Sequence, residues 1–212
     1  MIRILVADDH AIVRRGVRQI IDSEDDMEVI GEAADYPEIR RRLRDVSCDV
    51  LVLDLQLPGK NGIEVTKALR EEYPRLAILI LSSYPEDQYA VRALKAGARG
   101  YVSKLTAPER IVEAVRTVAT GRKYISAETA EALAETLGCD RSATPHRELS
   151  DREFQVLKMI ARGRKLSDIA DKLALSPKTV SVYRGRILEK MGVSSNAELT
   201  HYAIRHELVE IG

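Results

Sequence analysis

Between residues 1 and 121, five short apolar runs alternate with stretches whose apolar residues recur at helical spacing, and few folds accept that order. The runs place strands over 2–8, 28–33, 49–54, 77–82 and 100–103, and the amphipathic stretches place helices over 10–22, 36–46, 62–73, 86–96 and 107–120. In the first helix Ile12, Val13, Gly16, Val17, Ile20 and Ile21 form one stripe at helical period. Parallel strands need crossover helices, and a sheet apolar on both faces needs both covered. The expected fold is therefore α/β, a doubly wound five-stranded parallel sheet.

Residues 122–147 break the pattern. A short helix is expected over 127–137, followed by the polar, punctuated run from Gly138 to Pro145, which reads as a tether. From 148 to 212 only helical signals follow. Ser150 and Glu153 form a capping box ahead of Phe154, Leu157, Ile160 and Ala161, and Ser176-Pro177 starts another helix. The division read from the chain is 1–121, 122–147 and 148–212, with a small all-α second domain. A chain of 212 residues can bury two such cores.

The 33 basic and 33 acidic side chains cancel overall, but not locally: from Arg162 to Lys190 eight cations face three acids. Such an excess is the electrostatic footprint of nucleic-acid contact, and a solvated helix face gives it as well. Cys48 and Cys139 have no zinc or disulfide spacing. Neither a signal segment nor an apolar run near the ~18 residues of a membrane span is seen, so a cytoplasmic protein without membrane contact is expected.

Asp8 and Asp9 close the first strand, Asp54 closes the third just before Pro58-Gly59, Ser82 ends the fourth, and Lys104 follows the fifth. Ligands of open parallel sheets bind outside the carboxyl ends of the strands. Taken singly, Asp8 or Asp9 could cap the first helix and Asp54 could serve a turn. Three carboxylates gathered at one edge repel each other unless a cation intervenes, and Mg²⁺, or Mn²⁺ in its place, suits oxygen ligands. A carboxylate beside such an ion can attack a phosphoryl donor, with Lys104 pairing with the phosphoryl oxygens and Ser82 offering its hydroxyl.

Through Ala7-Asp-Asp-His10, Leu53-Asp-Leu-Gln-Leu-Pro-Gly59, Leu81-Ser82 and Lys95-Ala-Gly-Ala-Arg-Gly-Tyr-Val-Ser-Lys104, residues 1–121 resemble the flavodoxin-like receiver domain of two-component response regulators. The resemblance implies Asp54 as phosphoacceptor. It also implies Asp8, Asp9 and Asp54 on Mg²⁺ with the backbone carbonyl of Gln56, Ser82 and Tyr101 as a switch pair, and a sensor histidine kinase or phosphotransfer protein as donor.

In the second domain, Leu166–Leu173, the turn Ala174–Pro177 and Lys178–Met191 form a helix-turn-helix pattern. Its second helix would bury Val180, Ile187 and Leu188 and present Lys178, Ser181, Val182, Gly185, Arg186 and Glu189. The strings Leu149-Ser-Asp-Arg-Glu153, Ile169-Ala170, Leu175-Ser-Pro-Lys-Thr-Val180 and Lys190-Met-Gly-Val193 resemble the LuxR-type output domain of NarL/FixJ regulators. That implies a four-helix domain placing the 177–190 helix in the major groove of promoter half-sites and a homodimer formed through the last helix, about 195–206. Lys178, Thr179, Arg184 and Arg186 are assigned mainly to phosphates, while Ser181, Val182 and Gly185 lack the Arg or Asn of bidentate base reading.

The chain departs from the family at Lys165-Leu-Ser-Asp168 and at Tyr183. Three rival readings stay open. One is an aspartate-nucleophile phosphatase, for which the usual second acid two residues on is here Gln56; another is a helical dimerisation module with a solvated cationic face. The third is a receiver that signals without phosphate.

Overall fold

The computed structural model describes residues 1–138 and 144–209. Cys139 and most of the expected tether lie outside the described residues. Two compact units divide after Leu137.

In the first unit, strands β1 (Ile2–Ala7), β2 (Met27–Ala33), β3 (Val50–Leu53), β4 (Ala77–Ser82) and β5 (Gly100–Ser103) alternate with α1 (Ala11–Asp22), α2 (Tyr36–Asp45), α3 (Gly62–Glu72), α4 (Glu86–Ala96) and α5 (Pro108–Ala119). The strands pair in parallel in the order β2-β1-β3-β4-β5. This is the doubly wound sheet expected from the sequence. Its strand order reverses between β1 and β3, which opens a crevice at their carboxyl ends.

Alternation along the strands sorts the core into two layers. Ile4, Val6, Val50, Val52, Leu79 and Leu81 pack with Val17 and Ile21 of α1 and Val112 and Val115 of α5. The intervening Leu5, Leu51, Leu53, Ile78 and Ile80 are buried on the opposite face, as are Ile39 of α2 and Ile63 and Leu69 of α3. The central β3, and β4 as far as Leu81, are apolar throughout because a helix layer covers each face, whereas the edge strand β2 carries Glu28 and Glu32.

The stripe expected on α1 is interrupted at one end. Val17 and Ile21 are buried, but Ile12 is 81% exposed. The row Ile12–Gly16–Ile20 runs along the helix margin, where Gly16 is also exposed and Ile20 only half-buried. The residue opening α1 is also not an acid. His10 takes the cap position without a side-chain cap bond, so neither Asp8 nor Asp9 caps that helix.

A further helix, α6 (Ala127–Gly138), ends the first unit. In the second unit, α7 (Asp151–Ala161), α8 (Leu166–Leu173), α9 (Pro177–Met191) and α10 (Asn196–Arg205) bury Leu157, Ile160, Ile169, Leu173, Val180, Ile187, Leu199 and Ala203. Leu188 is half-buried, and Met191 takes the third buried position of α9. The capping box on α7 forms as read: Ser150 accepts from the Glu153 amide, and Glu153 accepts from the Ser150 amide at 2.8 Å. The turn between α8 and α9 passes through Ala174 in the left-handed region (φ 51°), with the Leu175 amide donating back to the Ala170 carbonyl at 2.9 Å. This is a Schellman-type stop in which alanine stands where glycine is favoured.

Candidate functional site

Asp8 follows β1 and Asp54 follows β3, so both side chains rise beside the crevice where the strand order reverses. Backbone bonds fix the two ends together: the Asp54 amide donates to the Ala7 carbonyl at 2.8 Å, and the Lys104 amide to the Ser82 carbonyl at 2.8 Å. The loop after Asp54 is held by a close approach. A Cβ on Gly62 would lie 2.4 Å from the Asp54 carbonyl oxygen, so only glycine lets α3 begin there.

The Lys104 ammonium lies 2.6 Å from Asp8 Oδ2 and 3.0 Å from Asp54 Oδ2. Both carboxyl groups are buried, Asp54 to 2% exposure, and neither Asp54 oxygen has a well-formed hydrogen bond among the described residues. Burial pushes the Asp54 carboxyl above the usual range. Lys104 pulls it back, Asp8 adds to the rise, and burial wins. For Lys104 burial works against the charge, but Asp54 and Asp8 outweigh it and hold the ammonium above the usual lysine range.

Asp9 and His10 complete the rim. His10 Nδ1 lies 2.6 Å from Asp9 Oδ1 and 3.3 Å from Asp8 Oδ1, while the His10 amide donates to Asp8 Oδ1 at 2.8 Å. One ligand atom from each of Asp8, Asp9, His10 and Asp54 falls within 4.8 Å of all the others. Two buried carboxylates of like charge, with Asp54 oxygens aimed into the crevice and poorly bonded, are the donor set a hard divalent cation takes.

Ser82 and Tyr101 meet through Tyr84, which no motif in the sequence marks. The Tyr101 hydroxyl donates to the Tyr84 carbonyl at 2.8 Å, and the Tyr84 amide donates to Ser82 Oγ at 3.2 Å. The Gln56 amide nitrogen donates to the Tyr84 hydroxyl, and the Tyr84 ring stacks on Tyr89 at 4.6 Å. Tyr101 points inward, and burial raises its hydroxyl pKa despite the Ser82 hydroxyl beside it. Tyr84 thus joins the loop after Asp54 to both members of the expected switch pair.

On α9 the positions Lys178, Ser181, Val182, Gly185 and Arg186 lie exposed on one face, with Thr179 half-buried at its margin. A shallow concavity there is lined by Ser176, Lys178, Thr179, Val182, Tyr183 and Arg186. Arg184 falls elsewhere: it is half-buried, and its Nε donates to Asn196 Oδ1 at 2.7 Å, tying α9 to α10. Lys190 is also committed, with Nζ 2.6 Å from Glu153 of the capping box. Ser176 caps α9 by accepting from the Thr179 amide at 3.1 Å.

An acid-lined crevice on a doubly wound sheet, followed by a helical unit with a helix-turn-helix, defines a two-part regulator. Residues 4–116 match the family described as the response regulator receiver domain, and residues 147–203 match bacterial regulatory proteins of the luxR family. The chain belongs to the two-component response regulators that join a receiver to a LuxR-type DNA-binding domain.

It is 36% identical to the response regulator UvrY of Escherichia coli (strain K12) over 209 residues, covering 98% of this chain and 96% of that one. It is 39% identical to the response regulator GacA of Pseudomonas protegens over 210 residues, covering 99% of each. Among solved structures, the Salmonella typhimurium response regulator RcsB aligns with a TM-score of 0.69 at 27% identity, covering 95% of this chain and 96% of that one. RcsB bound to a promoter in the presence of phosphomimetic BeF3− aligns at 0.60 and 28% identity, covering 95% and 97%.

Proposed function

We propose that Asp54 is the phosphoacceptor of this regulator, and that its phosphorylation governs promoter binding by a homodimer. The observation that carries this reading is the placement of Asp54: buried, poorly bonded and charge-paired with Lys104 beside Asp8 at the crevice. An Asp54 oxygen attacks the phosphorus of a phosphohistidine on a sensor kinase or phosphotransfer protein. The P–N bond breaks, and the electron pair leaves with the imidazole, which takes up a proton.

Lys104 then pairs with the phosphoryl oxygens, and Ser82 turns its hydroxyl toward them, which releases the Tyr84 amide it now holds. Asp8, Asp9, Asp54 and the Gln56 carbonyl would hold Mg²⁺, or Mn²⁺, which when bound neutralises the charge gathered at the phosphoryl group. The Tyr84–Tyr101 pairing is positioned to pass that change to α4 and β5.

Residues 1–121 act as receiver, 122–147 as linker and 148–212 as the DNA-binding domain. Lys178, Thr179, Ser181, Val182, Gly185 and Arg186 face promoter half-sites, and Arg184 supports α9 from its margin. The protein's place of action is the cytoplasm, and no helix among the described residues is long and apolar enough to cross a membrane. Sustained turnover is not expected beyond slow loss of the protein's own acyl phosphate, since Gln56 supplies no second acid and its amide is engaged by Tyr84.

Intact mass after incubation with a small phosphoryl donor and Mg²⁺ tests the assignment. The wild type gains one phosphoryl group and the Asp54→Ala variant gains none; equal labelling of both would overturn it.

A further inference from the structure

Val182 is out of place on α9 by every criterion that concerns the folded chain alone. It is 48% exposed, so it contributes little to the core formed by Val180, Ile187 and Met191. Valine is also a poorer helix former than the lysine, arginine or glutamate an exposed helical position otherwise favours. Its neighbours one turn away on either side are Lys178 and Arg186, both exposed, so an apolar protein partner would have to cover two cations to reach it. A polyanion would not.

The rest of that face narrows the chemistry. Ser181 and Gly185 flank Val182, and a Cβ on Gly185 would meet nothing within 4 Å, so the helix presents no bulk there. Neither residue can make the bidentate contacts by which Arg reads guanine and Asn or Gln reads adenine. In a major groove one apolar group is available to such a surface, the C5 methyl of thymine. A β-branched side chain on a helix is held in one preferred rotamer, so little freedom is lost when it packs against that methyl.

We propose that Val182 is a specificity-determining residue that packs on a thymine methyl, so that each half-site carries a thymine under this position. The inference rests on the DNA-binding reading of α9 and adds to it the base that is read. Lys178 and Arg186 hold the helix to the phosphates on either side of the contact.

The test removes the methyl without touching any hydrogen-bonding group. Duplexes retained by the full chain are selected from a randomised pool, and each thymine of the selected half-site is replaced in turn by deoxyuridine. At one thymine per half-site the wild type loses about fourfold in affinity, the factor for withdrawing one methyl group from water. Val182→Ala, whose side chain lacks the γ-methyls that reach the thymine, loses most of the preference between the two duplexes, whereas Val182→Thr, which keeps a γ-methyl, retains it; thermal melts confirm that both variants are folded.

Sequence-specific binding that is indifferent to deoxyuridine at every thymine overturns this assignment and leaves the DNA-binding reading standing. A penalty that persists undiminished in Val182→Ala also overturns it, because another side chain then makes the contact. Failure to retain any duplex overturns the DNA-binding reading and this inference with it.

Discussion

At the scale of single residues the crevice is a balance of charges that burial opposes. Asp54 is held above the usual carboxylate range by burial first, against the pull of Lys104. A folded-state pKa above the unfolded value means that the folded chain binds the proton more tightly. The resulting stabilisation is present at low pH and is lost as pH rises through the folded value. At neutral pH and without a divalent cation, Asp54 therefore destabilises the receiver, and Asp54→Asn raises its Tm. Thermal melts across pH check the sign: the gap closes as pH falls through the carboxylate range, and added Mg²⁺ stabilises the wild type more than the variant. A variant that melts lower than the wild type at neutral pH would contradict the balance described. Asp8, Asp54, Ser82 and Lys104 were legible in the sequence because each stands at the end of an apolar run, and the sheet order converts strand ends into neighbours. His10 and Tyr84 were not, because their roles come from side-chain directions in loops, where no period reveals which way a ring turns. Ile12 misled for a related reason, since helical spacing marks a stripe but not where the neighbouring layer ends.

Helix α6 shows the same limit for whole elements. Its span follows from local spacing, yet its anchorage to the first unit depends on Glu86, forty residues before Ser126. Tyr124 pairs with Gly100 at the edge of β5, and its amide donates to the Arg99 carbonyl at 2.8 Å. A Cβ on Gly100 would come within 3.0 Å of the Tyr124 side chain, so a glycine there admits the approach. Glu86, in the first turn of α4, accepts from Ser126 Oγ at 2.5 Å and from the buried Thr129 Oγ1 at 2.6 Å. Ser126 Oγ in turn accepts from the Thr129 amide at 3.0 Å, so the start of α6 and the start of α4 share one hydrogen-bonded cluster. Tyr84 lies two residues before Glu86, which puts this cluster beside the segment that holds Ser82 and Tyr101. Hydrogen bonds to a charged acceptor contribute about 1.5–3 kcal/mol each. Glu86→Ala is therefore expected to raise amide exchange at residues 127–131 by about tenfold or more while leaving the exchange of β1 and β3 unchanged. Unaltered protection at the start of α6 would show that the cluster does not anchor it.

For the whole molecule, 33 cations against 33 acids leave no net charge to drive association with DNA. The attraction has to come from a local patch, and the structure narrows which cations are available to it. Lys190 is paired with Glu153 and Arg184 is bonded to Asn196, so α9 itself offers Lys178 and Arg186. Each phosphate neutralised contributes about 0.9 to the slope of log affinity against log salt on duplex DNA. One subunit with few such contacts would bind weakly at physiological salt, and in the proposed homodimer a second subunit on the same duplex would add its own contacts at an effective concentration set by the dimer. The slope therefore counts subunits as well as contacts. On a duplex with two half-sites, Lys178→Ala should lower the slope of the phosphorylated protein by about two, and on a single half-site by about one. Lys190→Ala should leave both slopes unchanged, because its ammonium is spent inside the domain, while lowering the melting temperature through loss of the Glu153 pair. Binding measured from low to moderate salt on the two duplexes separates these cases. A Lys178→Ala loss of about one on both duplexes would mean that a single subunit engages DNA, and no loss on either would place the phosphate contacts off the start of α9.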